Sequence, residues 1–232
     1  MQKYGYLGPN IRLLTDTGMK PTLQAIRAGI TWLLSGARAG DTLFFYYSGH
    51  GTNTLDRSRD ESDGMDEMLV PLDYVRNGCI SDDWLFTNFL SRVPRSVRTW
   101  VFMDCCHSGT MCDLRYNVSY TPTRLAEGTD YVATEWGSAY QFTQEGSKET
   151  AGSVFCFSGA TDPQTAADAS FQGKANGSFT VAVLQSLRQT TAPSIKDLLK
   201  ELNCRLVLLG FPEQNSQLTV GRLGDLEQKC SF

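Results

Sequence analysis

Twice in this chain a helical pattern gives way, within a few residues, to a continuous apolar run that stops at a glycine. Pro21 to Ala37 carries Leu23, Ile26, Ile30, Leu33, Leu34 and Ala37 at helical spacing, with proline in the first turn. Ala39-Gly40-Asp41 then leads into a strand over Thr42 to Tyr47. Asp82 to Arg92 repeats the helical pattern, and Ser96 to Met103 repeats the strand. Helices alternating with strands across short connections predict an α/β fold, a mostly parallel central sheet flanked by helices. Ser153 to Phe157 reads as a further strand and Gln217 to Val220 as a closing one. Between them Phe179 to Leu187 and Ile195 to Leu209 read as helices, the second ended by Gly210 and Pro212. Two segments fall outside this rhythm: Asn53 to Gly64 is polar and acidic, and Asp113 to Thr150 lacks sustained periodicity and is expected to be an irregular loop.

A chain of 232 residues, 41% of them hydrophobic, is long enough to bury a real core, and residues 1–232 read as one domain. The net charge of −4 gives no electrostatic reason to expect nucleic acid. No apolar run approaches the ~20 residues that span a bilayer, and the opening MQKYGYLGPN lacks a hydrophobic segment of secretory type. Seven cysteines, two of them adjacent, do not read as a disulfide framework, and with only two histidines there is no zinc-site spacing. The expectation is a reducing compartment, cytoplasmic or nuclear, with most thiols packed as small core residues.

Chemistry gathers at the ends of the two strong strands. LFFYYSGHG delivers Ser48 and His50, and WVFMDCCHSG delivers Asp104 and Cys106. Residues two apart on a strand share a face, so each pair projects together, and ligands of parallel sheets collect at the carboxyl ends of strands. An imidazole facing a thiol beside a carboxylate is the hardware of a cysteine hydrolase, with Cys106 as nucleophile and His50 as the base that also protonates the leaving amine. His107 is the competing base, but it follows Cys106 directly and points the other way on an extended backbone. Cys105, by the same alternation, faces a helix-covered side of the sheet. Gly49, Gly51 and Gly109 are candidates to let backbone N–H groups form an oxyanion hole, and Gly51, beside His50, is the one chosen. The run Asp60, Glu61, Asp63, Asp66 and Glu67 lacks the spacing of an EF-hand loop.

Tyr47-Ser48-Gly49-His50-Gly51 and Asp104-Cys105-Cys106-His107-Ser108-Gly109 resemble the His and Cys motifs of caspase-like peptidases, and type I metacaspases more closely. Gly40 to Phe45, Val70-Pro71-Leu72-Asp73 and Phe157 to Asp168 support the resemblance, which runs from about Asn10 to about Val220. It implies a caspase-like fold: a large-subunit-like part to about residue 112, a processing segment over 113–150, and a small-subunit-like part over 151–232. It also implies an endopeptidase that cleaves peptide and protein substrates after Arg or Lys, with Asp104 at the bottom of the pocket and Ser48 opposite. Calcium is implied as an activator without a part in bond cleavage, held by Asp66, Asp82, Asp83 and Asp113. Arg115, Arg124 and Lys148 become candidate self-cleavage points, and the working state is expected to be a monomer. One departure stands out: residues 1–10 resemble only the tail of the family's first helix, with no strand before it, so an open sheet edge is expected. A catalytically inactive caspase-like regulatory domain is the alternative reading.

Overall fold

The computed structural model describes residues 4–55, 65–105, 111–112, 114–124, 131–132, 140–144, 148–159, 168–171, 174–189, 194–226 and 228–230. In chain order the strands are β1 (Thr42–Ser48), β2 (Gly51–Leu55), β3 (Met65–Leu69), β4 (Ile80–Ser81), β5 (Arg98–Asp104), β6 (Tyr116–Tyr120), β7 (Thr123–Arg124), β8 (Tyr131–Val132), β9 (Tyr140–Gln144), β10 (Ser153–Ser158), β11 (Asp168–Phe171), β12 (Lys174–Gly177) and β13 (Gln217–Val220). The helices are α1 (Leu23–Leu34), α2 (Tyr74–Asn77), α3 (Asp82–Asn88), α4 (Ser178–Gln189) and α5 (Ile195–Leu208).

The main sheet has the order β1-β5-β10-β13-β6-β9. β1, β5 and β10 pair in parallel, and β13, β6 and β9 follow antiparallel. β1, β5, β10 and β6 therefore run one way, and β13 and β9 the other. A smaller sheet, β2-β3-β4, turns off the end of β1.

Strand alternation sorts the core into two layers. Trp100 and Phe102 of β5, with Phe155 and Phe157 of β10, point to one face and pack under α4 and α5 against Phe179, Leu198 and Leu202. Val101, Met103 and Cys105 point to the other face with Val154 and Cys156, against Ile26 and Ile30 of α1 and Leu85 of α3. Stacked rings run across the first layer, with Phe102 centred 5.3 Å from Phe157 and 5.4 Å from Phe44.

Local signals account for most boundaries. Thr22 caps α1 by accepting the Ala25 N–H, so Pro21 lies just outside the helix and not in its first turn. The helix predicted over Asp82 to Arg92 ends at Asn88; the backbone turns at Phe89 into a short 3-10 turn over Leu90–Arg92, which lets adjacent Phe89 and Leu90 both be buried. α5 begins with a capping box between Ser194 and Asp197.

Two expectations are corrected. The stretch read as an irregular loop over 113–150 supplies two strands of the main sheet, β6 and β9. β6 buries Val118 and Tyr120 against β13, which explains why so short a run is extended. Cys112 and Cys156, read as core thiols, form a buried disulfide that ties the chain after β5 to β10.

Among the described residues β1 is an edge strand. Arg98 N–H donates to the Asp41 carbonyl and Gly49 N–H to the Asp104 carbonyl, so the odd-numbered residues of β1 turn their backbone toward β5. Thr42, Phe44, Tyr46 and Ser48 turn theirs outward, where the Tyr6 hydroxyl donates to the Thr42 carbonyl. No described helix is long and apolar enough to cross a membrane.

Candidate active site

The β1–β5 register sets Ser48 directly beside Asp104 at the carboxyl ends of the two strands. Both belong to the face covered by α4. Ser48 is exposed, whereas Asp104 is only 5% exposed. The Asp104 carboxylate accepts the Thr180 backbone N–H at 3.0 Å and also the Thr180 hydroxyl, across the first turn of α4. Cys105 is buried on the opposite face. Cys106, His107 and Gly109 lie outside the described residues.

His50 stands between β1 and β2 with an exposed side chain. Its carbonyl accepts the Val70 N–H at 3.1 Å, and the Tyr47 hydroxyl lies 2.8 Å from the same oxygen and 3.1 Å from the Val70 carbonyl. Burial raises the Tyr47 phenol well above its ordinary value, so it remains a donor. A Cβ on Gly49 would fall 2.8 Å from the Tyr47 hydroxyl, a close approach that favours glycine there. Tyr47→Phe is expected to cost about 1 kcal/mol in urea unfolding, and Gly49→Ala to cost more; an unchanged midpoint for both would show that this anchor is idle. Gly51 faces Leu69 in β3. Because the Val70 N–H bonds to the His50 carbonyl, Gly51 and Leu69 are a non-hydrogen-bonded pair, and the Gly51 N–H points away from β3.

The acidic residues divide. Asp82 opens α3 and is buried; its carboxylate accepts the Glu67 N–H at 2.7 Å and the Asp83 N–H at 2.6 Å. Asp83 forms an ion pair with Lys148 at 2.8 Å. Asp66 lies on β3 opposite Thr54, and Asp113 lies outside the described residues. Among the described residues no three acidic, His or Cys side chains gather closely enough to hold a metal ion. Of the candidate cleavage points, Arg115 pairs with Glu149 and its N–H bonds to the Lys148 carbonyl, so both Arg115 and Lys148 are tied down.

Three of the described thiols make poor nucleophiles. Burial pushes Cys79 and Cys204 up, and Cys230 up to about 12.

Comparison with known proteins gives these strand ends a family. The family model described as "Metacaspase, peptidase C14 domain" matches residues 1–115, which hold β1, β5 and both reactive pairs. Metacaspase-1 of Cryptococcus neoformans is 33% identical over 253 residues, covering 94% of this chain and 55% of that protein. Metacaspase-1 of Pyricularia oryzae is 32% identical, covering 98% and 65%. This chain is of the metacaspase type. Metacaspase-2 of Trypanosoma brucei brucei agrees, at 34% identity over 92% of this chain and 60% of its own length. The metacaspase-type chain thus spans between 55% and 65% of the length of these relatives. A solved protein from Geobacter sulfurreducens shares the fold, with a TM-score of 0.60 at 24% identity over 90% of this chain and 77% of that one.

Sequence reasoning missed Tyr47 and Thr180 in this metacaspase-type site. Tyr47 carried a usable signal, since it sits in the motif two residues from Gly49 and three from His50. Thr180 carried none, because 76 residues separate it from Asp104.

Proposed function

We propose that this chain is a cysteine endopeptidase that cleaves after Arg or Lys, with Cys106 as nucleophile and His50 as base. The observation that carries the reading is the pairing of Ser48 with Asp104 on adjacent parallel strands whose next residues lead to His50 and to Cys106. His50 takes the Cys106 thiol proton, and the thiolate attacks the scissile carbonyl. The Gly51 N–H, turned away from its ladder, is the oxyanion donor. The imidazolium then gives its proton to the leaving amine, and water hydrolyses the thioester. Asp104 attracts the basic side chain before the cut, with the Ser48 hydroxyl beside it.

Calcium is proposed as an activator. Carboxylate oxygens suit that ion, and Asp83 already accepts a cationic partner in Lys148; Asp66, Asp82 and Asp83 do not converge on one point in this structure, so they and Asp113 would have to draw together to hold it. Bound calcium would neutralise charge at the head of α3. The chain's own part would be to release Lys148, one of the candidate self-cleavage points, from its ion pair with Asp83.

The test is hydrolysis of Arg-, Lys- and Asp-terminated fluorogenic peptides with and without calcium. The expected result is cleavage of the basic peptides alone, raised by calcium in the wild type and unresponsive to it in Asp82→Asn. Preference for Asp would overturn the specificity, and equal rates without calcium would overturn the activator. The position of β1 at the sheet edge among the described residues favours a second reading, a non-catalytic interaction domain. Failure of a thiol-reactive Arg-ketone probe to label Cys106 would select it.

A further inference from the structure

We infer that Thr180, at the head of α4, is a positioning residue that sets the selectivity of this site by fixing the plane of the Asp104 carboxylate. The inference rests on the reading of Asp104 as the group that meets a basic side chain. Three contacts from the described residues around α4 bear on that carboxylate. Thr180 donates both its backbone N–H, at 3.0 Å, and its hydroxyl to Oδ2. Gly177, the residue before α4, lies so close that any Cβ there would overlap the Asp104 carboxylate. The carboxylate is therefore clamped between a glycine backbone and the first turn of a helix, whose positive end favours the anion.

The clamp has its own support. The Tyr46 hydroxyl lies 2.6 Å from the Thr180 hydroxyl oxygen. Because the Thr180 proton goes to Asp104, Tyr46 is the donor in that contact, giving a chain from Tyr46 through Thr180 to Asp104. Burial raises the Tyr46 phenol and outweighs its hydrogen bonds to Thr180 and Ser48, which act the other way. Chains of this kind polarise and stiffen one another.

Fixing the plane matters unequally for the two basic side chains. A guanidinium meets a carboxylate as a planar fork and needs both oxygens correctly oriented, whereas an ammonium is a point charge that tolerates rotation. Thr180 should therefore favour Arg over Lys, and either over a neutral residue.

Thr180→Val keeps the shape and the backbone N–H but removes the hydroxyl, and Thr180→Ser restores the hydroxyl. In the Val variant kcat/KM for an Arg peptide is expected to fall about tenfold, chiefly through KM. The Lys peptide should fall less and a neutral peptide should be unchanged, with the Ser variant returning close to wild type. Tyr46→Phe, one bond further out, should act in the same direction at smaller size. An unchanged ratio of Arg to Lys to neutral cleavage in Thr180→Val, or an equal loss toward all three, overturns the inference while leaving the Asp104 reading intact. A wild-type enzyme without basic preference overturns both.

Discussion

Replacing Cys106 by alanine is expected to lower kcat/KM toward an Arg-terminated peptide by at least about a thousandfold, because it removes the thiol proposed to form the covalent intermediate. His50→Ala should fall to a similar floor. The double variant should be hardly worse, since nucleophile and base act as one unit and their losses do not add. Cys105→Ala is the informative companion. Its side chain is packed in the layer beneath α1 and α3 and belongs to the core, so each folded molecule of that variant should keep wild-type turnover. Activity is to be normalised to correctly folded protein, because removing a buried thiol can cost stability without touching the chemistry. Full activity in Cys106→Ala, or loss confined to Cys105→Ala, would reverse the assignment of the two adjacent cysteines.

Phe102→Ala should destabilise the fold by about 3–5 kcal/mol. The ring is fully buried, with Phe44, Phe157 and Phe179 around it at centroid distances of 5.4, 5.3 and 6.4 Å. Truncation therefore opens a hole bounded by three rigid aromatic rings, which cannot all collapse into it. Phe102 is also two residues before Asp104 on β5, so the same hole lies beneath the carboxylate. The measurement is the urea midpoint at unchanged slope. Phe142, on the outer strand β9 and 46% exposed, provides the contrast, and Phe142→Ala should stay within about 0.5 kcal/mol of wild type. Similar losses in both variants would mean that the layer under α4 is not the main store of burial.

What could be read from the sequence followed the strength of each segment's own pattern. β1, β5, β10 and β13 were legible because their apolar runs are continuous or bounded by glycine, and α1, α4 and α5 because their apolar residues recur at helical spacing. Alternation put Ser48 with His50 and Asp104 with Cys106, but the opposition of Ser48 and Asp104 rested on the family resemblance, because alternation does not set the register between strands. β6 and β9 were not legible. Tyr116 to Tyr120 is only five residues with two polar interruptions, and Tyr140 to Gln144 keeps a largely exposed face. β6 is extended because β13 offers it a ladder, and β9 because β6 in turn offers it one, which is a tertiary cause. The clamp on Asp104 was hidden for the same reason, since Gly177 and Thr180 look like ordinary residues opening a helix until α4 is laid over the end of β5. The pairing of Cys112 with Cys156 likewise depends on where the chain returns after β5 and on nothing in the local spacing.

The outward-facing backbone of β1 has a mechanical consequence. Ser48, and His50 just beyond it, stand on a strand hydrogen-bonded to the sheet along one side only among the described residues. Asp104 stands on β5, held on both sides by β1 and β10. The two halves of the site thus differ in stiffness: one rides on the rim of the sheet and the other is set in its interior. Fraying of a rim is far easier than opening of a central strand, so the spacing between them is governed by how firmly β1 is held, and the Tyr47 and Tyr6 hydroxyls are two of the groups that hold it.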